Sequence, residues 1–134
     1  MPFMTWSEED TVSVESIDDQ HKAIVDLVND LHMNLGSDKE FYTKHLIGEL
    51  VKKVREHFDT EENFMRDYKF PNYISHKLEH DRFFNKIQDF NSQLENGNED
   101  VNLELLRSIK RWFYNHLEIN DRKIAAYLRE QGVN

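Results

Sequence analysis

Apolar side chains recur along this chain at alternating spacings of three and four residues, the pattern of helices that bury one face. The pattern breaks at the stretches LGSDKE, KFPNY and ENGNED, whose Gly and Pro residues favour turns. These breaks divide the chain into four segments of helical length, at about residues 17–35, 38–68, 72–95 and 101–130. Residues 1–15 lack the pattern, and we expect them to form an N-terminal arm that Phe3 and Trp6 anchor to the helices.

The four amphipathic segments predict an all-α fold. Short connections make consecutive helices antiparallel, and 134 residues suit one domain with one core. We therefore expect a single domain over residues 1–134, an up-down-up-down antiparallel four-helix bundle with an N-terminal extended arm. Ser16 and Asp19 fit a capping box at the start of the first helix, and Gly97 fits the end of the third.

Seven positions on the predicted inner faces carry ionisable side chains where an aliphatic residue would be ordinary. They are His21, His57, Glu61, His76, His80, His116 and Asp121. Burying an unpaired charge or an imidazole without a hydrogen bond costs several kcal/mol. Seven such burials without partners would be strongly disfavoured. The pattern therefore indicates that these side chains satisfy one another or share a common ligand.

The seven positions also lie at similar heights in an antiparallel bundle. His21 lies 15 residues before the turn at Gly36, and His57 lies 21 residues after it. At ~1.5 Å of rise per residue these two side chains are within ~10 Å in height. The third and fourth predicted helices match in the same way around Gly97. The polar positions are therefore expected to form one layer across the bundle.

Spacing within each helix supports a shared site. His57 and Glu61 are four residues apart, as are the two histidines of HKLEH at 76–80, and side chains at this spacing point the same way. His116 and Asp121 are five residues apart, about 140° of rotation on an ideal helix. They would flank the inner face from two adjoining rows, unless a local π-bulge brings them together.

The residue types at these positions are those of a metal centre. The chain has no cysteine, so thiolate ligands and disulfides are excluded. Five imidazoles and two carboxylates exceed the four ligands of a structural zinc site and suit two metal ions. Imidazole with carboxylate favours iron, zinc, copper or manganese over calcium or magnesium.

Other polar residues have simpler interpretations. A lone histidine on an apolar face is more often a packed core residue than a ligand, and only the joint occurrence of seven polar positions favours a metal site. His32 and His45 lie off the inner faces and are expected at the surface. Asp18, Asp19 and Glu62 are interpreted as charges on helix surfaces or first turns.

Charge and hydropathy limit the partners. The net charge of −9 argues against nucleic acid and anionic lipid. No stretch approaches the ~20 apolar residues that cross a bilayer, so we expect no membrane insertion. The opening MPFMTWSEEDT has no basic region followed by an apolar run, as a signal peptide would. A soluble cytoplasmic protein is the resulting expectation.

Four stretches of the chain resemble the hemerythrin family, in particular its single-domain bacterial members, the bacteriohemerythrins. They are IDDQHKAIVDLVNDL at 17–31, HFDTEE at 57–62, HKLEH at 76–80 and HLEIND at 116–121. YKFPNY before the third helix and Trp6 fit the same family. All four stretches occur in order, and the resemblance covers essentially the whole chain.

The resemblance implies a non-heme di-iron centre that binds O2 reversibly, for storage, delivery or sensing, in a protein that is not an enzyme. Its cofactors would be two iron ions with an oxo or hydroxo bridge. The implied ligands of one iron are His21 and His57, those of the other are His76, His80 and His116, and Glu61 and Asp121 would bridge both. The iron with two histidines would keep an open position for O2.

Pocket residues and rival functions complete the expectations. Trp112 and Ile119, one turn either side of His116, are the candidates for the O2 pocket. Partners beyond O2 would be an O2-consuming enzyme or a reductant. The alternative is a di-iron redox enzyme (peroxidase-like, NO-reducing or oxygenase) or an iron-handling protein. The inner faces lack the Glu-x-x-His pairs of ferritin-like oxygenases, and their large side chains leave little evident room for a substrate.

Overall fold

The computed structural model describes residues 2–35, 40–97 and 102–133. Its α-helices are α1 (Glu15–Met33), α2 (Glu40–Asp67), α3 (Tyr73–Glu95), α4 (Leu103–Asn115) and α5 (Arg122–Glu130). The N-terminal arm contains a short 3-10 helix, Glu8–Asp10. A π-helical segment, His116–Asp121, joins α4 directly to α5, so these three elements form the fourth helix of the bundle. The described residues contain no strand. The predicted starts of the second and fourth helices, residues 38 and 101, lie outside them.

The all-α four-helix bundle predicted from the sequence is confirmed. α2 packs against α1 on one side and α3 on the other, while the fourth helix contacts α1 through α4 and α2 through α5. Each helix buries most of the apolar row that its sequence predicts. In α2 the predicted Ile47, Leu50 and Val54 are at most 1% exposed, whereas Tyr68, predicted in the same row, is 37% exposed. Phe58 and Met65, which lie beside the predicted row, are completely buried. The helices therefore enclose one continuous core that holds the polar layer in place.

The N-terminal arm runs along α1 and also contacts α4. Met4 is buried and exchanges two hydrogen bonds with the side chain of Asn29, at 2.7 and 2.8 Å. The hydroxyl of Tyr114 donates to the carbonyl of Thr5 at 2.8 Å. Trp6 packs against His21, with 5.5 Å between the ring centroids. The arm therefore covers the polar layer at His21, the residue that α1 contributes to it.

The start of α1 differs from the predicted capping box. The helix begins at Glu15, so Ser16 lies inside its first turn. Asp18 instead accepts hydrogen bonds from the backbone amides of Val12 (2.9 Å) and Ser13 (3.2 Å). Asp18 lies in the first turn of α1, which is one of the two places predicted for it, but it is buried and not at the helix surface. Its carboxylate ties the arm to the helix because it satisfies amides that the turn leaves free.

The π-helical segment decides which residues of the fourth helix face inward. It turns more slowly than an α-helix, so one extra residue fits between His116 and Asp121 while both remain buried. Ile119, expected on the inner face, lies instead at the surface with 54% of its area exposed. Its predicted position on the inner face beside His116 is therefore wrong.

None of the helices is both long and apolar enough to cross a bilayer, within the ranges that the structure describes.

Candidate metal centre

All four helices of the bundle contribute ionisable side chains to one buried layer. α1 supplies one, α2 two, α3 two and the π-helical segment two. Each is at most 6% exposed: His21, His57, Glu61, His76, His80, His116 and Asp121. The sequence prediction of one polar layer therefore agrees with the burial of these side chains.

Asp121 lies between imidazoles from three helices. Its Oδ2 is 2.5 Å from Nε2 of His21 and 3.2 Å from Nε2 of His57. Its Oδ1 is 2.8 Å from Nε2 of His116. The two oxygens of one carboxylate thus face two different groups of imidazoles.

Glu61 makes the corresponding contacts from α2. Its Oε1 lies 3.0 Å from Nε2 of His57, 3.2 Å from that of His116 and 3.5 Å from that of His80. His57, Glu61, His116 and Asp121 each place one donor atom within 4.8 Å of the others. Two carboxylates and several imidazole nitrogens therefore converge on one small volume.

Several of these donor atoms lack hydrogen-bond partners. Oε2 of Glu61 and Nδ1 of both His21 and His76 are buried without one. Oδ1 of Asp121 and Nε2 of His80 make the ion-pair contacts given above but no hydrogen bond. Buried polar atoms are rarely left unpaired in native proteins. Metal ions would coordinate the free carboxylate oxygens and imidazole nitrogens, and this donor set suits a transition metal. The residues present therefore fit a metal centre.

His76 stands apart from the other six. It is buried beside Phe70, with ring centroids 5.2 Å apart, and it makes no hydrogen bond or ion pair with the other six in the described ranges. Burial lowers its pKa, and Glu61 and His80 are close enough to influence it electrostatically. His76 therefore lies in the same layer but, among the described residues, forms no hydrogen bond or ion pair with its other members.

The carboxylates control the charge of the two most central imidazoles. Burial disfavours the charged form of His57, but Glu61 and Asp121 outweigh it and raise its pKa to about 9. His116 is buried too, and the same two carboxylates raise its pKa to about 10. Without metal, these two imidazoles therefore hold protons at neutral pH.

The carboxylates are held ionised in return. Burial and Asp121 oppose the charge of Glu61, but His57 and His116 lower its pKa to about 2. Burial also opposes the charge of Asp121, but His116 and its other neighbours hold its pKa well below the usual range. In the metal-free layer, protonated imidazoles therefore form ion pairs with ionised carboxylates. The protons on the imidazoles supply the positive charge that bound metal ions would otherwise provide.

This network predicts how the stability of the metal-free protein depends on pH. The raised pKa values of His57 and His116 stabilise the fold fully below pH 6.5, and this contribution is lost as the pH rises toward 9 and 10. His21 and His76, whose pKa burial lowers, destabilise it below pH 6.5. The melting temperature of the chelator-treated protein should therefore be highest near pH 6.5 and fall up to pH 10.

Circular dichroism melts of chelated and metal-loaded protein between pH 5 and 10 check this expectation. Metal binding removes the protons from the imidazoles, so the loaded protein should show a weaker decline above pH 6.5. Parallel curves for the two forms would contradict the assignment of the raised pKa values to this layer.

Three further side chains orient the imidazoles from behind. Oε2 of Glu62 lies 3.0 Å from Nδ1 of His80, and Oε1 of Gln20 lies 3.1 Å from Nδ1 of His57. The amide Nδ2 of Asn120 lies 3.3 Å from Nδ1 of His116. The oxygens of Glu62 and Gln20 can accept the outer N–H of their imidazoles, which fixes the rotation of a metal-binding imidazole and makes its other nitrogen a stronger ligand. Asn120 instead contacts its imidazole through a donor nitrogen and helps to hold the ring in place.

Sequence reasoning missed these three residues. Glu62 was interpreted as a surface charge, but it is 5% exposed and also pairs with Arg55 at 3.4 Å and Lys77 at 3.7 Å. The feature of the sequence that could have indicated this role of Glu62 is its position directly after Glu61. On a helix, neighbouring residues point about 100° apart, so the second carboxylate could reach a different partner from the first.

Glu62→Gln should weaken metal binding while leaving the fold intact. The amide keeps the shape of the side chain but removes the charge that polarises His80. Loss of such a partner typically costs about 10- to 100-fold in metal affinity. Competition titration of the metal-free protein with Co²⁺ against a coloured chelator measures this change. Glu56→Gln, at an exposed position on the same helix, should bind as the unaltered protein does, and equal affinities for all three would contradict the role of Glu62.

Aromatic rings pack against one side of the polar layer. Phe58 is buried and stacks on His80, with 4.0 Å between centroids and 4° between planes. Trp112 stacks on His116 at 4.8 Å and on Phe83 at 3.5 Å. Of the two predicted pocket residues, Trp112 therefore contacts an imidazole of the layer, whereas Ile119 is 54% exposed.

A buried layer of histidines and carboxylates that could hold metal ions inside a four-helix bundle defines a class of metal-binding bundle proteins. The chain belongs to one family within that class, because the family model described as "Hemerythrin HHE cation binding domain" matches residues 12–128.

The chain is similar to several named relatives. It is 31% identical over 123 residues to the bacteriohemerythrin of Methylococcus capsulatus, a match that covers 91% of this chain and 94% of that protein. It is 28% identical over 129 residues to the bacteriohemerythrin of Stenotrophomonas maltophilia, covering 96% and 84%. A crystal structure of wild-type hemerythrin superposes with a TM-score of 0.90 at 29% identity, covering 94% of this chain and 98% of that one. Sequence and fold agree on the family.

Proposed function

We propose that this chain holds two iron ions in a carboxylate-bridged centre and binds O2 reversibly there. The observation that carries the proposal is the division of contacts at Asp121. Its Oδ2 faces His21 and His57, and its Oδ1 faces His116. A carboxylate whose two oxygens face separate imidazole groups is suited to bridge two cations, and membership of the hemerythrin family supports the same arrangement.

The division at Asp121 supports an uneven ligand set. His21 and His57 would hold one ion, while His116 with the two histidines of α3, His76 and His80, would hold the other. Glu61 would join both ions, since its Oε1 lies within 3.5 Å of imidazoles from both groups. The ion with fewer protein ligands is the one with room for O2.

The bound irons would supply the electrons that O2 takes up and returns. The contribution of the chain is to position the ligands and to exclude water. Phe58 and Phe113 are at most 2% exposed, and their rings contact ligand imidazoles: Phe58 contacts His80 and His116, and Phe113 contacts His21 at 5.5 Å. An apolar surround limits the access of protons and water, which favours release of O2 over its irreversible reduction.

Reversibility is the property that tests the proposal. The iron-loaded protein is reduced without air, exposed to O2 and followed by visible absorption through repeated cycles of evacuation and readmission. We expect absorption bands that appear with O2 and disappear on evacuation over many cycles. Bleaching in the first cycle, with oxidation of an added substrate, would favour the redox-enzyme alternative. A protein that holds iron with no spectral response to O2 would favour iron handling.

A further inference from the structure

The outer partners of the imidazoles differ between the two proposed ligand groups. Nδ1 of His80 faces the carboxylate of Glu62 at 3.0 Å. Nδ1 of His57 faces the neutral amide of Gln20 at 3.1 Å, and Nδ1 of His21 is buried without a hydrogen-bond partner. Among the described residues, the ion with two histidines is therefore left without a charged group behind its imidazoles, whereas the other ion has one.

The contacts of His57 fix the orientation of the Gln20 amide. Nε2 of His57 faces the carboxylates of Glu61 and Asp121, at 3.0 and 3.2 Å. When Nε2 binds a metal, Nδ1 carries the hydrogen of the ring and needs an acceptor. Oε1 of Gln20 is that acceptor, and Nε2 of the amide donates to Oγ1 of Thr60 at 2.8 Å. Gln20 therefore joins α1 to α2 on the outer side of His57.

The surroundings of Gln20 would accept a carboxylate equally well. The hydroxyl of Thr60 can donate as well as accept, so it could turn and donate to a glutamate at position 20. His57 would donate to the other carboxylate oxygen. Gln20 is half-buried, so a charge there would keep some contact with water. The hydrogen bonds alone therefore do not require a neutral side chain at this position.

The charge of the outer partner changes the strength of the imidazole as a ligand. Hydrogen bonds to a charged acceptor are about twice as strong as those to a neutral one. A carboxylate behind an imidazole therefore makes its metal-binding nitrogen richer in electrons, which favours an oxidised metal. A neutral amide favours the reduced metal by comparison. Since O2 leaves only when the metal takes its electrons back, the amide should favour release.

We propose that Gln20 is a positioning residue that holds His57 through a neutral amide and thereby keeps the ion at His21 and His57 weakly held and ready to release O2. The effect on O2 rests on the function proposed above. The effect on metal affinity depends only on the contacts of His57 with Gln20, and of Gln20 with Thr60.

Two substitutions of Gln20 should shift metal affinity in opposite directions. Gln20→Glu keeps the shape and adds the charge, so it should tighten binding of the ion at His57 by about 10-fold, the lower end of what outer partners contribute. Gln20→Leu removes the acceptor and should weaken binding by about as much. Titration of the metal-free protein with Co²⁺ against a coloured chelator measures both. A role in packing alone would weaken both variants, and unchanged or weaker binding by Gln20→Glu would overturn the proposal.

Three further variants assign the binding step. His57→Ala should lose the ion next to Gln20, so the Co²⁺ step missing from that variant is the one to compare. Glu62→Gln should weaken the other step instead. Gln88→Glu makes the same change as Gln20→Glu at an exposed position on α3, and it should leave both steps unchanged. An equal shift in Gln88→Glu, or a shift confined to the other step in Gln20→Glu, would overturn the proposal.

The reduction potential of the iron-loaded protein provides a second measurement. Gln20→Glu should lower this potential and slow the release of O2 on evacuation, and an unchanged potential would overturn the electronic role of Gln20. The Co²⁺ titrations involve no O2. Opposite shifts in a protein that fails to bind O2 reversibly would therefore refute only the proposed function. Equal Co²⁺ affinities in a protein that binds O2 reversibly would refute only the role of Gln20.

Discussion

Glu61→Gln should abolish stable metal binding and with it any response to O2. The buried Oε1 of Glu61 lies within 3.5 Å of three imidazoles from three helices, and Oε2 is unpaired. The amide keeps the volume of the side chain but removes the negative charge that would offset two cations. We expect a loss of metal affinity greater than the roughly 10- to 100-fold typical of outer partners. Metal analysis of purified protein, and Co²⁺ titration of the metal-free form, measure the loss.

The neighbouring carboxylate provides the control for this variant. Glu62 is also buried, but it faces Nδ1 of His80 on the outer side of the ring. If position decides the effect, Glu61→Gln should be far more damaging than Glu62→Gln although the two changes are chemically identical. Helical circular dichroism should be the same for both. Similar metal affinities for the two variants would show that Glu61 does not bind the ions directly.

His57→Ala should lower the metal content and eliminate reversible O2 binding. His57 is 1% exposed and its Nε2 contacts both carboxylates, Glu61 at 3.0 Å and Asp121 at 3.2 Å. The substitution removes one of the two imidazoles proposed to hold the ion with fewer protein ligands. That ion should therefore be lost first. We expect fewer than two irons per chain by metal analysis, and no absorption change on cycles of O2 and vacuum.

His45→Ala is the matched control for His57→Ala. Both histidines lie on α2, but His45 is exposed. It should retain full metal content and the full spectral response. Thermal melts of the metal-free proteins show whether either change harms the fold itself. A His57→Ala protein with two irons and normal O2 binding would refute the ligand assignment.

Much of the site could be predicted because its residues break an otherwise apolar pattern. His21, His57 and Glu61 occupy inner-face positions where burial without a partner costs several kcal/mol. Their sequence positions therefore already predict that these side chains contact one another or share a ligand. The i, i+4 spacing then fixed which side chains on one helix point together. These arguments need only the helical period and the order of the turns.

Other features depend on contacts that no local pattern encodes. Glu62 fits a surface charge by its sequence and Asp18 a surface or first-turn charge. Asp18 does lie in the first turn, but both side chains are buried against partners, from the arm for Asp18 and from α3 for Glu62. Ile119 fitted the apolar period but lies at the surface, because the π-helical segment changes the rotation between His116 and Asp121. The extra residue of the π-helical segment is stabilised by the contacts that His116 and Asp121 make with side chains of other helices. Those contacts join residues far apart in the sequence, so the local sequence pattern does not predict them.

The sequence by itself determined the four helices, their order and the inward direction of seven polar side chains, since helical periodicity and the cost of burial act along each segment separately. Only the tertiary structure decided which oxygen of Asp121 faces which imidazole and which side chains support the imidazoles from outside. Distances between helices depend on how all the side chains at each contact pack together, and that is a property of the assembled bundle.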